Sequence, residues 1–227
     1  MGIGEQAELM ARRGVRKDGR VAADDQRDVE RAILGATERL LADRRFDELT
    51  VADILAVAGV SRASFYFYFE SKYAVLADLV RHAVAEGHEA AQPWLGHAGD
   101  RPPAGEIRSG ILDGARLWSA HAPLLRAIVE NWRSDPGLSK LWTELMDGYT
   151  KSTAERIQRD RASGLAPETS INAGTLAATL TWLGERVYYL AAIGQPPFDD
   201  QDRLVDTLTE IWLAAVYHGS PPESPPR

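Results

Sequence analysis

The sequence predicts an all-α protein of about nine helices. Apolar residues recur along most of the chain at the three- and four-residue spacing of amphipathic helices. Stretches that alternate apolar and polar residues are too short to build a sheet. Glycines and prolines separate the helical segments, and the longest such break runs from Pro93 to Pro103.

The N-terminal helices follow from capping signals in chain order. The first helix begins near Asp28 and carries on one face Val29, Ile33, Ala36, Leu40 and Leu41. Thr50 fits an N-cap position, with Asp53 three residues later in an acidic variant of the capping box. Gly59 supplies the backbone freedom for a tight turn, and Ser61 caps the short helix after it.

A longer C-terminal part continues the helical pattern. Ser71 caps a long helix that ends at the Pro93 break. Beyond the break, proline and glycine bound five further segments. These predicted helices span residues 106–119, 123–133, 136–161, 169–193 and 200–218.

Composition excludes several classes of protein. The chain has 227 residues, of which 44% are hydrophobic and 26% charged, as in ordinary globular domains. It contains no cysteine, so disulfides, thiolate nucleophiles and cysteine-ligated metals are excluded. No apolar run approaches the roughly 18 residues of a membrane span, and the N-terminus lacks the apolar core of a signal peptide. We therefore expect a cytoplasmic protein with no membrane partner.

Charge is unevenly distributed. The net charge of −7 argues against a protein that coats nucleic acid non-specifically. Residues 11–20 nevertheless hold five basic side chains and one acidic side chain. Such an arm is either a solvated tail or, beside a nucleic-acid-binding module, an additional phosphate contact.

Two short helices joined by the Gly59 turn have the spacing of a helix-turn-helix. The inward positions, which we interpret as a small core, are Val51, Ile54, Leu55, Val60, Phe65 and Phe69. The outward positions are Arg62, Ala63, Ser64, Tyr66 and Phe67. An arginine near the start of a helix in the major groove can donate two hydrogen bonds to guanine. Tyr66 and Tyr68 either donate to phosphates or cover the small core, and for Tyr68 the two interpretations are equally supported.

Catalytic signatures are missing from the sequence. It contains no phosphate-binding glycine loop, no paired metal-ligand histidines and no serine-centred nucleophile motif. We predict no enzyme activity, no cofactor and no metal. Glu185 and Arg186 interrupt an apolar helix, and we expect each to pair with a neighbouring helix in a buried ion pair.

The stretch ELTVADILAVAGVSRASFYFYFESKYAVL, residues 48–76, resembles the TetR family of bacterial transcriptional repressors. The matching features are the threonine cap, the Ala-Gly-Val-Ser turn, the aromatic run and the Ser-Lys opening of the next helix. The stretches TLTWLGERVYYLA and LVDTLTEIWLAAVYHG resemble the mycobacterial ethionamide-resistance repressor branch of that family.

The resemblance implies a DNA-binding surface and its partners. It implies contacts with a double-stranded DNA operator from Thr50, Ser61, Arg62, Ala63, Ser64, Tyr66, Phe67, Tyr68 and Lys72, with phosphate contacts at Tyr66, Tyr68 and Lys72. It implies a three-helix helix-turn-helix domain (25–73) and a helical ligand-binding and dimerisation domain (74–219). The charge pattern predicts a flexible basic arm (1–24) before them, and the Pro/Ser-rich composition predicts a disordered tail (220–227) after them. The resemblance further implies a homodimer formed through the last two helices.

The aromatic stripe of Trp142, Met146 and Tyr149 would by itself indicate a core. In the family this region encloses a lipophilic cavity, and the implied wall residues are Trp118, Trp142, Met146, Tyr149, Thr181 and Trp212. Thr181 and Gly184 stand where related sequences have asparagines, so the usual polar anchor is weakened. We predict a regulator, most consistent with a repressor, that a hydrophobic small molecule releases from a palindromic operator. The alternatives are an activator, or a small-molecule-binding protein or enzyme that retains a vestigial helix-turn-helix.

Overall fold

The computed structural model describes residues 27–90, 92–96 and 102–218. Helix α1 spans residues 27–43 of this part. It is followed by α2 (Val51–Ala58), α3 (Arg62–Tyr68), α4 (Lys72–Ala90), α5 (Gln92–Leu95), α6 (Ala104–Ala120), α7 (Ala122–Asn131), α8 (Pro136–Ala162), α9 (Ala173–Ala192) and α10 (Gln201–Tyr217). Nine of these helices have seven residues or more, and the described residues contain no strand, which confirms the all-α prediction.

The chain divides into two compact units, with the boundary between Val75 and Leu76 within α4. The domain limit predicted from the sequence, between residues 73 and 74, lies two residues before this boundary. The predicted arm (1–24) and tail (220–227) lie outside the described residues. No helix in the part that the structure describes is both long and apolar enough to cross a bilayer.

Local capping fixes the helices of the first unit. The Thr50 side chain accepts from the Asp53 N–H while the Asp53 carboxylate accepts from the Thr50 N–H, so the predicted capping box is confirmed. Gly59 adopts a left-handed conformation, φ 69°, that residues with a Cβ rarely adopt. The side chain of Ser61 caps α3 by accepting from the Ser64 N–H at 3.0 Å. The buried core of this unit includes Ile33, Ala36, Leu41, Phe46, Leu49, Ile54, Phe65 and Phe69.

Lys72 has partners other than those the resemblance implies. Its Nζ donates to the carbonyl oxygens of Leu49 at 2.6 Å, Phe46 at 2.9 Å and Asp47 at 3.3 Å. An ammonium has three donors, and these three carbonyls occupy all of them. The pKa of Lys72 is lowered, because the effect of burial exceeds the opposing effect of the Asp47 and Asp53 charges. In this structure the Lys72 side chain therefore fixes the 3-10 turn Phe46–Glu48 in front of α2, and its phosphate contact stays a prediction.

The second unit packs long helices around a common core. Helix α8 packs along α9, and α10 packs along α6. The fully or nearly fully buried residues of this core include Ile107, Ile157, Ala177, Leu180, Leu204, Val205, Leu208 and Val216. Predicted helix limits hold within a few residues except at α9, which begins at Ala173 because the Asn172 side chain accepts from the Gly174 and Thr175 N–H groups.

A buried cation ties three helices of the second unit together. The Arg156 side chain is 2% exposed, and its Nε donates to Asp160 Oδ2 at 2.8 Å. Its Nη1 donates to the backbone carbonyl of Trp94 at 2.7 Å. Tyr217 donates to the same Asp160 oxygen at 2.7 Å and accepts from Trp94 Nε1 at 3.2 Å. The network thus joins α5, α8 and α10, and α5 itself lies where the sequence predicts a loop.

Replacing Lys72 by methionine tests its clamping role. We expect Lys72→Met to lower the free energy of unfolding by about 1.5–3 kcal/mol, since hydrogen bonds from a charged group are lost. The matched control is Lys140→Met, because the Lys140 side chain is 76% exposed and its ion pair with Glu144 is 3.8 Å long. Chemical unfolding followed by circular dichroism measures both. Unchanged stability together with weaker DNA binding would indicate that Lys72 contacts a phosphate and does not stabilise the turn.

A second pair of variants tests the Arg156 network. Asp160→Asn should cost about 3–5 kcal/mol of stability, because it removes the carboxylate charge that the buried Arg156 guanidinium contacts at 2.8 Å. Asp206→Asn is the control, since Asp206 also accepts from an arginine, Arg108, at 2.9 Å but with both side chains about half exposed. This exposed pair should be worth at most about 1 kcal/mol. Equal losses in the two variants would show that burial does not govern the Asp160 interaction.

Candidate functional site

Helix α3 buries one face and exposes the other. Phe65 is fully buried and Phe69 is 6% exposed, as predicted for core positions. On the opposite face Tyr66 is 46% exposed and Phe67 is 72% exposed. Arg62 and Ala63 are exposed as well, whereas Ser64 and Tyr68 are half-buried. The predicted division between inward and outward positions of this helix is therefore confirmed, apart from the partial burial of Ser64.

The outward side chains of α3 restrain one another. The Arg62 guanidinium lies 5.5 Å from the centre of the Tyr66 ring. Phe67 and Tyr68 make an edge-to-face contact at 5.0 Å between ring centres. Ser61 and Ser64 share a hydrogen bond of 2.8 Å between their hydroxyl oxygens. These contacts leave a cationic and aromatic surface along one side of the helix.

Thr50 lies exposed at the start of α2 with its hydroxyl engaged. The hydroxyl donates to Asp53 Oδ2 at 2.6 Å. This bond, the Thr50 N–H and the guanidinium of Arg44 lower the pKa of Asp53 to about 2. The cap is therefore charged at neutral pH, and Thr50 holds the beginning of α2 in place.

The second unit contains a partly open cavity of about 200 Å³. Residues from α4 to α10 form its wall. All six residues that the sequence predicts for a ligand site line it: Trp118, Trp142, Met146, Tyr149, Thr181 and Trp212. Trp142 is 3% exposed and Met146 is 5% exposed, so this stripe is buried as a core would be, yet it borders empty space.

Sequence reasoning missed much of the wall. The additional lining residues are Val84, Trp94, Leu95, Glu106, Ile107, Gly110, Ile111, Gly114, Leu117, Leu125, Leu145, Ser152, Thr153, Leu180, Gly184, Glu185 and Tyr188. One available signal was the pair Gly110 and Gly114, which are four residues apart and share a face of α6. Glycine in a helix interior costs stability unless a close approach requires it.

Gly114 shows such a close approach. A Cβ at this position would lie 2.9 Å from the hydroxyl oxygen of Tyr188. That hydroxyl donates to the carbonyl oxygen of Ile111 at 3.0 Å. Burial also raises the pKa of Tyr188. Gly114 therefore makes room for a hydrogen bond that holds the Tyr188 ring in the cavity wall, 6.1 Å from the Trp118 ring.

Glu185 differs from its sequence prediction. Its side chain is 3% exposed and lines the cavity, but the cation it contacts is its chain neighbour Arg186 at 3.8 Å, not a residue of another helix. The Arg186 side chain is 54% exposed and lies over the Tyr189 ring. The predicted inter-helix ion pair is therefore wrong, because α9 directs Glu185 towards the cavity. The pKa of Glu185 is raised, because the effect of burial exceeds the opposing effect of the Arg186 charge.

The last two helices keep some apolar surface outside the core. Leu176, Leu180, Leu204 and Leu208 are buried within the unit. Trp182 on α9 is 38% exposed and Ile211 on α10 is 39% exposed. Among the described residues, no group of three histidine, aspartate or glutamate side chains is placed to hold a metal ion.

Comparison with known proteins covers both units. Residues 33–79 match the family model described as bacterial regulatory proteins, tetR family. Residues 107–218 match the model described as transcriptional regulator EthR, C-terminal domain. The HTH-type transcriptional regulator EthR of Mycolicibacterium smegmatis is 35% identical over 205 residues, which cover 89% of this chain and 91% of the relative. EthR of Mycobacterium tuberculosis H37Rv is 33% identical over 202 residues, with 89% and 92% covered.

Solved structures share the fold at lower identity. A putative TetR-family regulator from Syntrophomonas wolfei superposes with a TM-score of 0.66 at 12% identity, covering 84% of this chain and 96% of that one. Another, from a Rhodococcus species, gives a TM-score of 0.65 at 16% identity, with 81% and 97% covered. The relatives are transcriptional regulators and not enzymes. Both parts of the chain match models of one family, the first over residues 33–79 and the second over residues 107–218. This chain therefore belongs to the TetR family of bacterial helix-turn-helix transcriptional regulators, in its EthR branch.

Proposed function

We propose that this regulator is a homodimeric repressor that an apolar small molecule releases from a palindromic operator. The observation that carries the proposal is the cavity of about 200 Å³, whose wall is built largely from aromatic and aliphatic side chains. Apolar cavities of this kind favour ligands that bury hydrocarbon surface. A ligand that prefers one arrangement of the dimer, while DNA prefers another, lowers operator affinity by its differential affinity for the two.

Helix α3 is the proposed reading element. Arg62, exposed in its first turn, is proposed to donate to a guanine edge, while Ala63 and Ser64 are small enough to allow close approach to the groove. The exposed Phe67 supplies apolar contact to bases or sugars. The hydroxyl groups of Tyr66 and Tyr68 are proposed to donate to phosphates. Thr50 and Ser61 are proposed to lie at the DNA-facing surface as the caps of α2 and α3, since the Thr50 hydroxyl already donates to Asp53. Lys72 would contact a phosphate only by giving up one of its three carbonyl partners.

A homodimer is proposed to form through α9 and α10. Trp182 on α9 and Ile211 on α10 are large apolar side chains that are each more than one third exposed. Burial of these side chains against a partner would stabilise the dimer. A two-fold dimer presents two copies of α3 to the two half-sites of a palindrome. The dimer therefore makes twice as many contacts with the operator as one protomer makes with a single half-site.

Substitution of Arg62 tests base reading. On the operator located by footprinting DNA that flanks the gene, Arg62→Ala should cost about 1–3 kcal/mol and relax preference at one base pair per half-site. Titration of single-base operator variants measures this. Arg116→Ala, an exposed arginine on α6, is the control and should change nothing. A loss that is uniform across all operator variants would make Arg62 a phosphate contact instead.

Ligand coupling is tested with methyl decanoate, an uncharged apolar probe. Because it binds only the folded protein, a hundred-fold excess over Kd should add about 2.7 kcal/mol of stability. It should also change tryptophan fluorescence and lower operator affinity, and operator DNA should weaken probe binding by the same factor. Thermal unfolding and fluorescence anisotropy with labelled operator measure these effects.

A cavity-filling variant provides the control for the probe. Thr181→Trp adds an indole at the cavity wall and should abolish probe binding while operator binding persists. Thr143→Trp makes the same substitution at an exposed position of α8 and should leave both activities unchanged. If bound methyl decanoate left operator affinity unaltered, the ligand-release model would be wrong, and the DNA-binding proposal would stand.

A further inference from the structure

The aromatic ring of Tyr188 on α9 fills a gap that two glycines leave in the cavity wall. A Cβ at Gly114 on α6 would lie 2.9 Å from the Tyr188 hydroxyl oxygen, which is too close for atoms that are not bonded. A Cβ at Gly184, one turn before Tyr188 on α9, would lie 3.7 Å from ring atom Cε2. All three residues line the cavity. The ring therefore takes space that a larger residue at Gly114 would need for itself.

Two further contacts hold the Tyr188 ring against α6. The hydroxyl donates to the carbonyl oxygen of Ile111 at 3.0 Å. The ring centre lies 6.1 Å from that of Trp118, with the two ring planes inclined by 31°. Ile111, Gly114 and Trp118 share one face of α6, and all three line the cavity. The ring is thus fixed at the boundary of the empty space.

The space that the ring occupies is continuous with the cavity. Tyr188 is half-buried and belongs to the cavity wall, so its removal would enlarge the existing space and would not leave a separate void. Such space persists because the surroundings of a truncated side chain relax only in part. At about 200 Å³ the cavity is smaller than the roughly 300–1,000 Å³ of pockets for drug-sized ligands. The volume of the Tyr188 ring is therefore a substantial fraction of the space available to a ligand.

We propose that Tyr188 limits the length of the effector, so that the cavity selects medium-length apolar molecules over long-chain ones. The proposal rests on the proposed function, in which the cavity binds the effector. Each methylene that a ligand buries should strengthen binding about four-fold. A methylene for which the cavity has no room stays in solvent at the open side and adds nothing. Affinity should therefore stop rising at a limiting chain length.

A series of methyl esters from hexanoate to tetradecanoate measures this limit by titration of tryptophan fluorescence with the full chain. Affinity of the wild type should rise about four-fold per methylene for the short esters and then level off within the series. Tyr188→Ala should move the limit to longer esters by about two methylenes or more. A substitution that merely loosens the protein would weaken all esters alike and leave the limit in place.

Two matched variants control for the loss of a tyrosine. Tyr188→Phe keeps the ring and loses the hydroxyl, so the limiting length should not change. Tyr189→Ala removes the same ring from the next residue, whose hydroxyl donates to Glu130 Oε1 at 3.1 Å and which is not among the described lining residues. This variant should also keep the wild-type limit.

Refilling the gap from the opposite helix provides a second test. In the Tyr188→Ala background, Gly114→Leu places a side chain in the space that the ring has left, because a Cβ at residue 114 points at the former hydroxyl position. The limit should then return towards that of the wild type. If Tyr188→Ala does not fold, Tyr188→Leu makes the same test with a smaller shift, since leucine is shorter than tyrosine.

The outcomes separate this proposal from the one on which it rests. Affinity that rises without a limit up to tetradecanoate in the wild type would overturn the length proposal. An unchanged limit in Tyr188→Ala, or an equal shift in Tyr189→Ala, would also overturn it. In each of these cases, release of operator by a bound ester would leave the proposed function intact. Failure of every ester to bind the wild type would overturn both proposals.

Discussion

The second unit depends on the buried guanidinium of Arg156. A cation that is 2% exposed is tolerated only when its counter-charge and its N–H groups are matched, and Asp160 and the Trp94 carbonyl provide that match. Tyr217 closes the network by sharing the Asp160 oxygen. This requirement draws α5 and α10 onto α8, although α5 is only four residues long and could not be stable alone.

The same network includes residues of the cavity wall. Trp94 is held through both its carbonyl and its indole, and its ring meets Trp212 edge to face at 5.4 Å. Both rings lie in the cavity wall. Gly114 and Tyr188 hold the wall on another side, where a hydrogen bond to the α6 backbone fixes the aromatic ring. Polar contacts therefore restrain the Trp94 and Tyr188 side chains that border the empty space.

The first unit uses a cation in a different way. Lys72 is engaged by three carbonyls of the turn before α2, and its ammonium lies 4.7 Å from the Phe46 ring centre. With that turn fixed, the Thr50 capping box and the left-handed Gly59 set the two ends of α2. Helix α3 can then expose Tyr66 and Phe67, because Phe65 and Phe69 anchor its other face. Burial of Phe65 and Phe69 therefore offsets the cost of leaving the Tyr66 and Phe67 side chains exposed.

The sequence by itself determined what depends on near neighbours. Helical spacing and caps such as Thr50 and Ser61 act within four residues, so they predicted the helices, the turn at Gly59 and the buried face of α3. The predicted start of α9, at residue 169, was too early because the Asn172 side chain caps the helix and α9 begins at Ala173.

Only the tertiary structure decided the roles of Lys72, Glu185 and the Trp142 stripe. A stripe of apolar residues looks the same in sequence whether it meets other side chains or empty space, and the difference depends on Gly114 and Tyr188 from other helices. Whether Lys72 contacts solvent or three carbonyls depends on a turn more than 20 residues earlier in the chain. Sequence patterns report which face of a helix is apolar, but the partners of that face are set by long-range packing.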